Sequence, residues 1–302
     1  MNGAPGGVAA LLAADRGRLL SRLEAAARRM RHRTDHGASH DVRVATRRLD
    51  ALLDVWRALL PVKRRRRARR ALRALRRALG RARELRVGID LLRDRLPRTP
   101  PAARAAIGVV IERWERSLTG VEKDAASSCR PRAVREIRRR IDRAFPHLPD
   151  EPVTGMQLAA TGRARVLERR RRAVTGVRRA GEHQSDERLH AARVAIKRWR
   201  YAIERIEVAD PGPADPVRET LADFQSRLGR IQDLAVLRNE IRAIAGRLER
   251  AGIADGAAAF MPLIEDLEGE RAQCVEDFMR AVAAADLGDA PVLPIRPASG
   301  SA

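Results

Sequence analysis

Cysteine is nearly absent from this chain, with only Cys129 and Cys274 among 302 residues. They stand one in each half without metal-type or redox-type spacing, which excludes a disulfide framework and points to a reducing compartment. Aromatic residues are almost as scarce at 3%, so few platforms exist for stacking bases. No stretch approaches the ~18 apolar residues of a membrane span, and the short apolar run over residues 8–12 has no basic leader. The expectation is a soluble cytoplasmic protein that is neither exported nor membrane-bound. Gly-rich phosphate loops, a Gly-x-Ser-x-Gly elbow and a paired acid and base are also missing, and with them the usual signatures of catalysis. His32, His36 and His40 are four apart, but Gly37 interrupts the series and no carboxylate or cysteine completes a closed site, so no metal is expected.

Cations, by contrast, are abundant. The chain has 62 Lys and Arg against 39 Asp and Glu, a formal net charge of +23. Such an excess repels itself and attracts polyanions. Nearly all of it is arginine, whose planar guanidinium grips phosphate oxygens through two parallel N–H bonds where lysine offers a point charge. A biased nucleotide composition would explain arginine over lysine, but not the net excess.

Much of this charge is written twice. His40, Arg43, Val44, Ala45, Arg47 and Arg48 return 150 positions later as His190, Arg193, Val194, Ala195, Lys197 and Arg198. Upstream, Arg22, Arg28 and Arg29 correspond to Arg172, Arg178 and Arg179; downstream, Leu72, Leu75, Leu79 and Gly80 correspond to Leu221, Phe224, Leu228 and Gly229. The period is too long for a solenoid and suits one duplicated module. At about 100° per residue, His40, Arg43 and Arg47 share a narrow helical stripe, with Leu49, Leu52, Leu53, Trp56 and Leu60 on the opposite side. His190, Arg193 and Lys197 repeat the stripe, while Ile196, Trp199, Ile203 and Ile206 repeat the apolar face. Solvation alone does not demand the same pattern in both copies, and arginine and histidine suit phosphate oxygens, so phosphate contact is preferred to a solvated face, with capping of the helix start as a compatible role for His40 and His190. The dense basic run from Lys63 to Arg70, continued by Arg73, Arg76 and Arg77, and the run Arg169 to Arg172 are either further anion surface or simply solvated faces.

Helical periodicity dominates and alternating strand patterns are hard to find. Helices are predicted over about residues 8–32, 39–60, 62–95, 100–126 and 131–145, then 155–181, 186–208, 214–250 and 255–284, punctuated by Gly and Pro. The predicted fold is all-α, with two tandem antiparallel helical bundles over 8–146 and 154–284. Duplication suggests that they are related by a pseudo-twofold axis. The Pro-rich segment 147–153 joins them, and 285–302 is predicted as a disordered tail.

The repeated segments resemble the CHAD family of helical domains. The resemblance rests on Leu189-His190-Ala191-Ala192-Arg193-Val194-Ala195-Ile196-Lys197-Arg198-Trp199-Arg200-Tyr201, on its first copy from His40, and on Leu79-Gly80-Arg81-Ala82-Arg83-Glu84-Leu85 with its partner Leu228-Gly229-Arg230-Ile231-Gln232-Asp233-Leu234. It implies two helical bundles around a basic central groove or channel, and inorganic polyphosphate as the partner. By carry-over, His40, Arg43, Arg47, Arg48, His190, Arg193, Lys197 and Arg198 become polyphosphate contacts. The flanking repeated cations Arg22, Arg28, Arg29, Arg172, Arg178 and Arg179 join them as candidates. The copies differ where Asp50 stands against Arg200, and Arg86 and Ala235 occupy positions where the family often has an acid. Many CHAD domains are fused to a triphosphate-hydrolysing domain with alternating glutamates followed by lysine. Here Glu268-Gly269-Glu270 is followed by Arg271 and Ala272. The expectation is therefore a cofactor-free binding protein at polyphosphate granules, without enzymatic activity. Sequence-nonspecific nucleic-acid binding is the alternative, weakened by the low aromatic content.

Overall fold

The computed structural model describes residues 8–32, 36–145, 152–209 and 217–285, and no strand occurs among them. The helices are α1 (Val8–His32), α2 (His36–Val55), α3 (Val62–Ala78), α4 (Gly80–Arg95), α5 (Pro101–Ser128) and α6 (Pro131–Asp142) in the first half. The second half has α7 (Pro152–Glu182), α8 (Asp186–Ala209), α9 (Val217–Arg250), α10 (Ala254–Ala258) and α11 (Met261–Ala284). Proline opens α5 and α6, where its missing N–H costs nothing and its fixed φ suits the first helical turn. Gly252 follows α9 with φ 75°, a left-handed conformation that glycine adopts without steric cost.

Three boundaries depart from the sequence reading. Helix α2 begins at His36 and runs through Gly37, then ends at Val55, after which turns still carry Trp56 and Leu60 into the core. The predicted helix over 62–95 divides at Leu79, while the corresponding Leu228-Gly229 lies inside the unbroken α9. The predicted helix over 255–284 divides at Ala259 and Phe260. Most of the predicted joint, and the tail beyond Ala285, lie outside the described residues.

The apolar interior forms two clusters, and each draws on both halves of the chain. One gathers Leu49, Leu53 and Trp56 of the first half with Ile196, Trp199, Ile203 and Phe224 of the second. The other gathers Leu85, Leu92, Ile107 and Trp114 with Leu234, Ile241, Leu263 and Leu267. Corresponding positions share a cluster: Leu72, Leu75 and Leu79 lie with Leu221, Phe224 and Leu228, and Leu85 lies with Leu234. Helix α9, about 50 Å long at 1.5 Å per residue, passes through both clusters. Across the halves, α2 packs on α8 and on α7. The fit is close: a Cβ on Gly162 of α7 would meet Ile206 Cδ1 at 2.5 Å and Trp56 Cη2 at 2.8 Å.

Buried ion pairs add polar ties to this packing. Arg205 of α8 donates to both oxygens of Asp15 in α1, at 2.9 and 2.7 Å. Arg48 of α2 donates from Nε to Glu204 of α8 at 3.1 Å. Unpaired, such groups would be costly to remove from water, so each partner requires the other.

Candidate functional site

Arg43, Arg47, Asp50 and Asp54 follow one another at spacings of four, three and four along α2, and so occupy one face. Arg69, Arg73 and Arg76 do the same on α3, and His190, Arg193, Lys197 and Tyr201 on α8. These faces, with Arg169 of α7 and the start of α4, enclose a cavity of about 770 Å³. Its described lining carries eleven Arg or Lys side chains, His190, and only Asp50, Asp54 and Glu84 as acids. A smaller cavity of about 220 Å³ shares Arg43, Arg81, Glu84, His190 and Arg193 with it and extends toward Trp114 and Asp233.

Two carboxylates organise one wall. Asp54 accepts hydrogen bonds from Arg165 at 2.7 Å and Arg169 at 2.5 Å, and Arg69 approaches it at 3.3 Å. Burial pushes the Asp54 carboxyl up, but the bonds from Arg165 and Arg169 outweigh burial and hold it at about 2. Asp50 accepts from Arg69 Nε at 2.7 Å and from Arg76 at 3.5 Å. In the second copy the charge is exchanged, since Arg200 donates to Gln225 at 3.2 Å.

Other cations of the lining have little compensation. Burial, reinforced by Arg47 and Arg83, pushes the Arg43 guanidinium down to about 10. Burial and then Arg47, Arg193, Arg83 and Arg43 push the Lys197 ammonium down to about 6. Arg193 is also shifted down by burial, and its Nε is buried with no hydrogen-bond partner among the described residues. Buried donors and unbalanced positive charge are both unfavourable until an anion supplies acceptors. Chemically, the cavity offers many fixed N–H donors to a ligand with several negative charges.

The sequence matches the CHAD domain family over residues 14–242, which include every wall of this cavity. The chain belongs to that family. Among solved structures, the CHAD domain from the plant Ricinus communis superposes with a TM-score of 0.70 at 20% identity, over 93% of this chain and 93% of that one. PptA from Streptomyces chartreusis superposes with a TM-score of 0.66 at 18% identity, over 92% of this chain and 100% of that one. At these identities the likeness establishes the fold. No curated protein matches the chain.

Within this CHAD domain, Arg43, Arg47, His190, Arg193, Lys197 and Arg198 line the larger cavity. The other candidates lie elsewhere. Arg48 turns to Glu204. His40 and His190 are both exposed, but only His190 lines the cavity: its Nδ1 is 2.6 Å from Gln232 Oε1, while the residue corresponding to Gln232 is Arg83, which donates to Asp233 at 3.1 Å. Arg22 and Arg28 are exposed on α1, and Arg29 pairs with Asp41 at 2.8 Å. Arg178 lies 3.8 Å from Glu182, and Arg172 and Arg179 line a separate groove between α7 and α8. Conversely, Arg69, Arg73, Arg76, Arg77, Arg81 and Arg169 line the cavity without belonging to the motif that singled out the others. Their signal is the Arg69-Arg73-Arg76 helical spacing. Among the described residues no helix is long and apolar enough to cross a membrane, and no group of three His, Cys, Asp or Glu is placed to hold a metal ion.

Proposed function

We propose that this CHAD domain binds inorganic polyphosphate without hydrolysing it. The Arg, Lys and His rows of two duplicated, pseudo-twofold-related helical modules converge on the central cavity and wrap the phosphate chain. The observation that carries this reading is the surplus of buried cation in the cavity, above all Arg193 Nε without a partner and Lys197 among four arginines. A string of phosphates supplies both the acceptors and the charge that this lining lacks. Membership in the CHAD family supports the same ligand. Nucleic acid carries similar charge, but Trp56, Trp199 and Tyr201 are buried, which leaves few rings on which bases can stack. In the cell the reading extends to cytoplasmic polyphosphate granules.

The test is a titration with long-chain polyphosphate, with duplex DNA and RNA as competitors at equal phosphate concentration. Polyphosphate should bind and resist displacement, and Arg43→Glu with Arg193→Glu should abolish binding while helicity is retained. Displacement by nucleic acid would overturn the choice of ligand. Steady release of phosphate in the presence of Mg²⁺ would overturn the non-enzymatic reading. Loss of granule co-localisation in the double variant would extend the test to cells.

A further inference from the structure

Helices α7 and α8 frame a third concavity, an outer groove of about 650 Å³. Its floor is made of small side chains, Gly176, Ala191 and Ala195, and a Cβ on Gly176 would lie 3.5 Å from Ala192 Cα, so the helices approach closely there. Its rims carry Arg171, Arg172, Arg179 and Arg188, with Glu182 and Glu187 as the acids. Arg172 is held by Glu168 at 2.7 Å, and Glu182 lies 3.8 Å from Arg178. Among the described residues Arg171, Arg179 and Arg188 form no ion pair. Arg188 instead donates to the backbone oxygen of Arg179 at 3.2 Å.

Duplication supplies a control within the same molecule. The corresponding surface on α1 and α2 pairs Arg29 with Asp41 at 2.8 Å. In the second copy Arg179 keeps the place of Arg29, but Ala191 stands where Asp41 would be, and Arg171 and Arg188 replace Ser21 and Ala38. The first copy thus has Arg22, Arg29 and Asp41 where the second has Arg171, Arg172, Arg179 and Arg188 with Glu182 and Glu187, and only in the second does the shared arginine, Arg179, lack its carboxylate partner. The outer groove also adjoins the central cavity. Arg169 and Arg198 line the cavity, and Arg172 and Ala195, each one helical turn away on the same helix, line the groove.

We propose that the α7/α8 groove is a second phosphate track, which takes the part of a polyphosphate chain that emerges from the central cavity over the Arg169–Arg198 edge. This rests on the proposed function and adds a length preference to it. Short chains fill the cavity alone, and chains long enough to cross the edge gain the groove as an intramolecular second site.

The experiment compares tripolyphosphate with long-chain polyphosphate by calorimetric titration. The variant Arg171→Gln, Arg179→Gln, Arg188→Gln should lose about tenfold or more in affinity for the long chain. Its salt slope for that ligand should fall by about two to three, one for each cation removed. Affinity for tripolyphosphate should not change. Ala191→Asp, which supplies Arg179 with the carboxylate present in the first copy, should reproduce part of the long-chain loss. Undiminished long-chain affinity, or an equal loss for both ligands, would overturn the track. Failure of the wild-type protein to bind either ligand, or of Arg43→Glu with Arg193→Glu to weaken tripolyphosphate, would instead overturn the central reading. Retained helicity in each variant separates these results from misfolding.

Discussion

Lys197 is where burial and like charge meet most directly, with Arg43, Arg47, Arg83 and Arg193 around it. The unfolded chain holds the Lys197 proton up to the ordinary value of 10.5, and the folded chain only below about 6. Between those values the unfolded state binds more protons, so this residue makes stability rise with pH across the window and leaves it flat below about 6. A polyanion in the cavity reverses the local field and returns the proton to the amine. At pH 7.5 binding should therefore take up a proton, read from titration heats in buffers of different ionisation enthalpy. Affinity should rise as the pH falls toward about 6. Lys197→Met should abolish the uptake, weaken binding, and stabilise the free protein by about 1–3 kcal/mol, because an amine no longer has to be buried without an acceptor. Proton uptake that survives the substitution would place the titrating group elsewhere.

At the scale of elements, the wall of the cavity depends on how Asp54 joins α2 to α3 and α7. Its carboxylate contributes stability above the ordinary value of 3.8, and that contribution is lost as the pH falls through about 2. Asp54→Asn leaves Arg165 and Arg169 buried without their anion and should cost about 3–5 kcal/mol, seen as a lower urea midpoint at pH 7 and a shallower loss of stability in acid. These clasps were not legible beforehand, because a pair such as Asp54 and Arg165 is set by how helices distant in sequence pack. The helices themselves were legible, since Pro101, Pro131 and the Gly252 turn mark ends by local chemistry. The break at Leu79 was not, because Leu228-Gly229 carries the same residues through a continuous helix. The α8 lining was legible through repetition. The α3 lining was less so: Arg73, Arg76 and Arg77 correspond to Ala222, Gln225 and Ser226, so duplication gave them no support, and only the density of the basic run marked them, which fits an anion surface and a solvated face equally.

For the whole molecule, a net charge of +23 acts in two opposite ways. In the free protein it is self-repulsion, which salt screens, so the free protein should melt higher as salt is added. In the complex it is attraction, and each phosphate neutralised releases counterions, so salt weakens the complex. Polyphosphate at about a hundredfold excess over Kd should add roughly 2.7 kcal/mol to stability at low salt. If six or more phosphates are neutralised as on DNA, affinity should fall by about a thousandfold between roughly 50 and 200 mM salt, enough to remove that gain. Melting curves recorded with and without polyphosphate should therefore converge from both sides as salt rises, the free protein moving up and the complex moving down. A melting increment that persists unchanged at high salt would mean that the cavity grips its ligand through contacts other than charge.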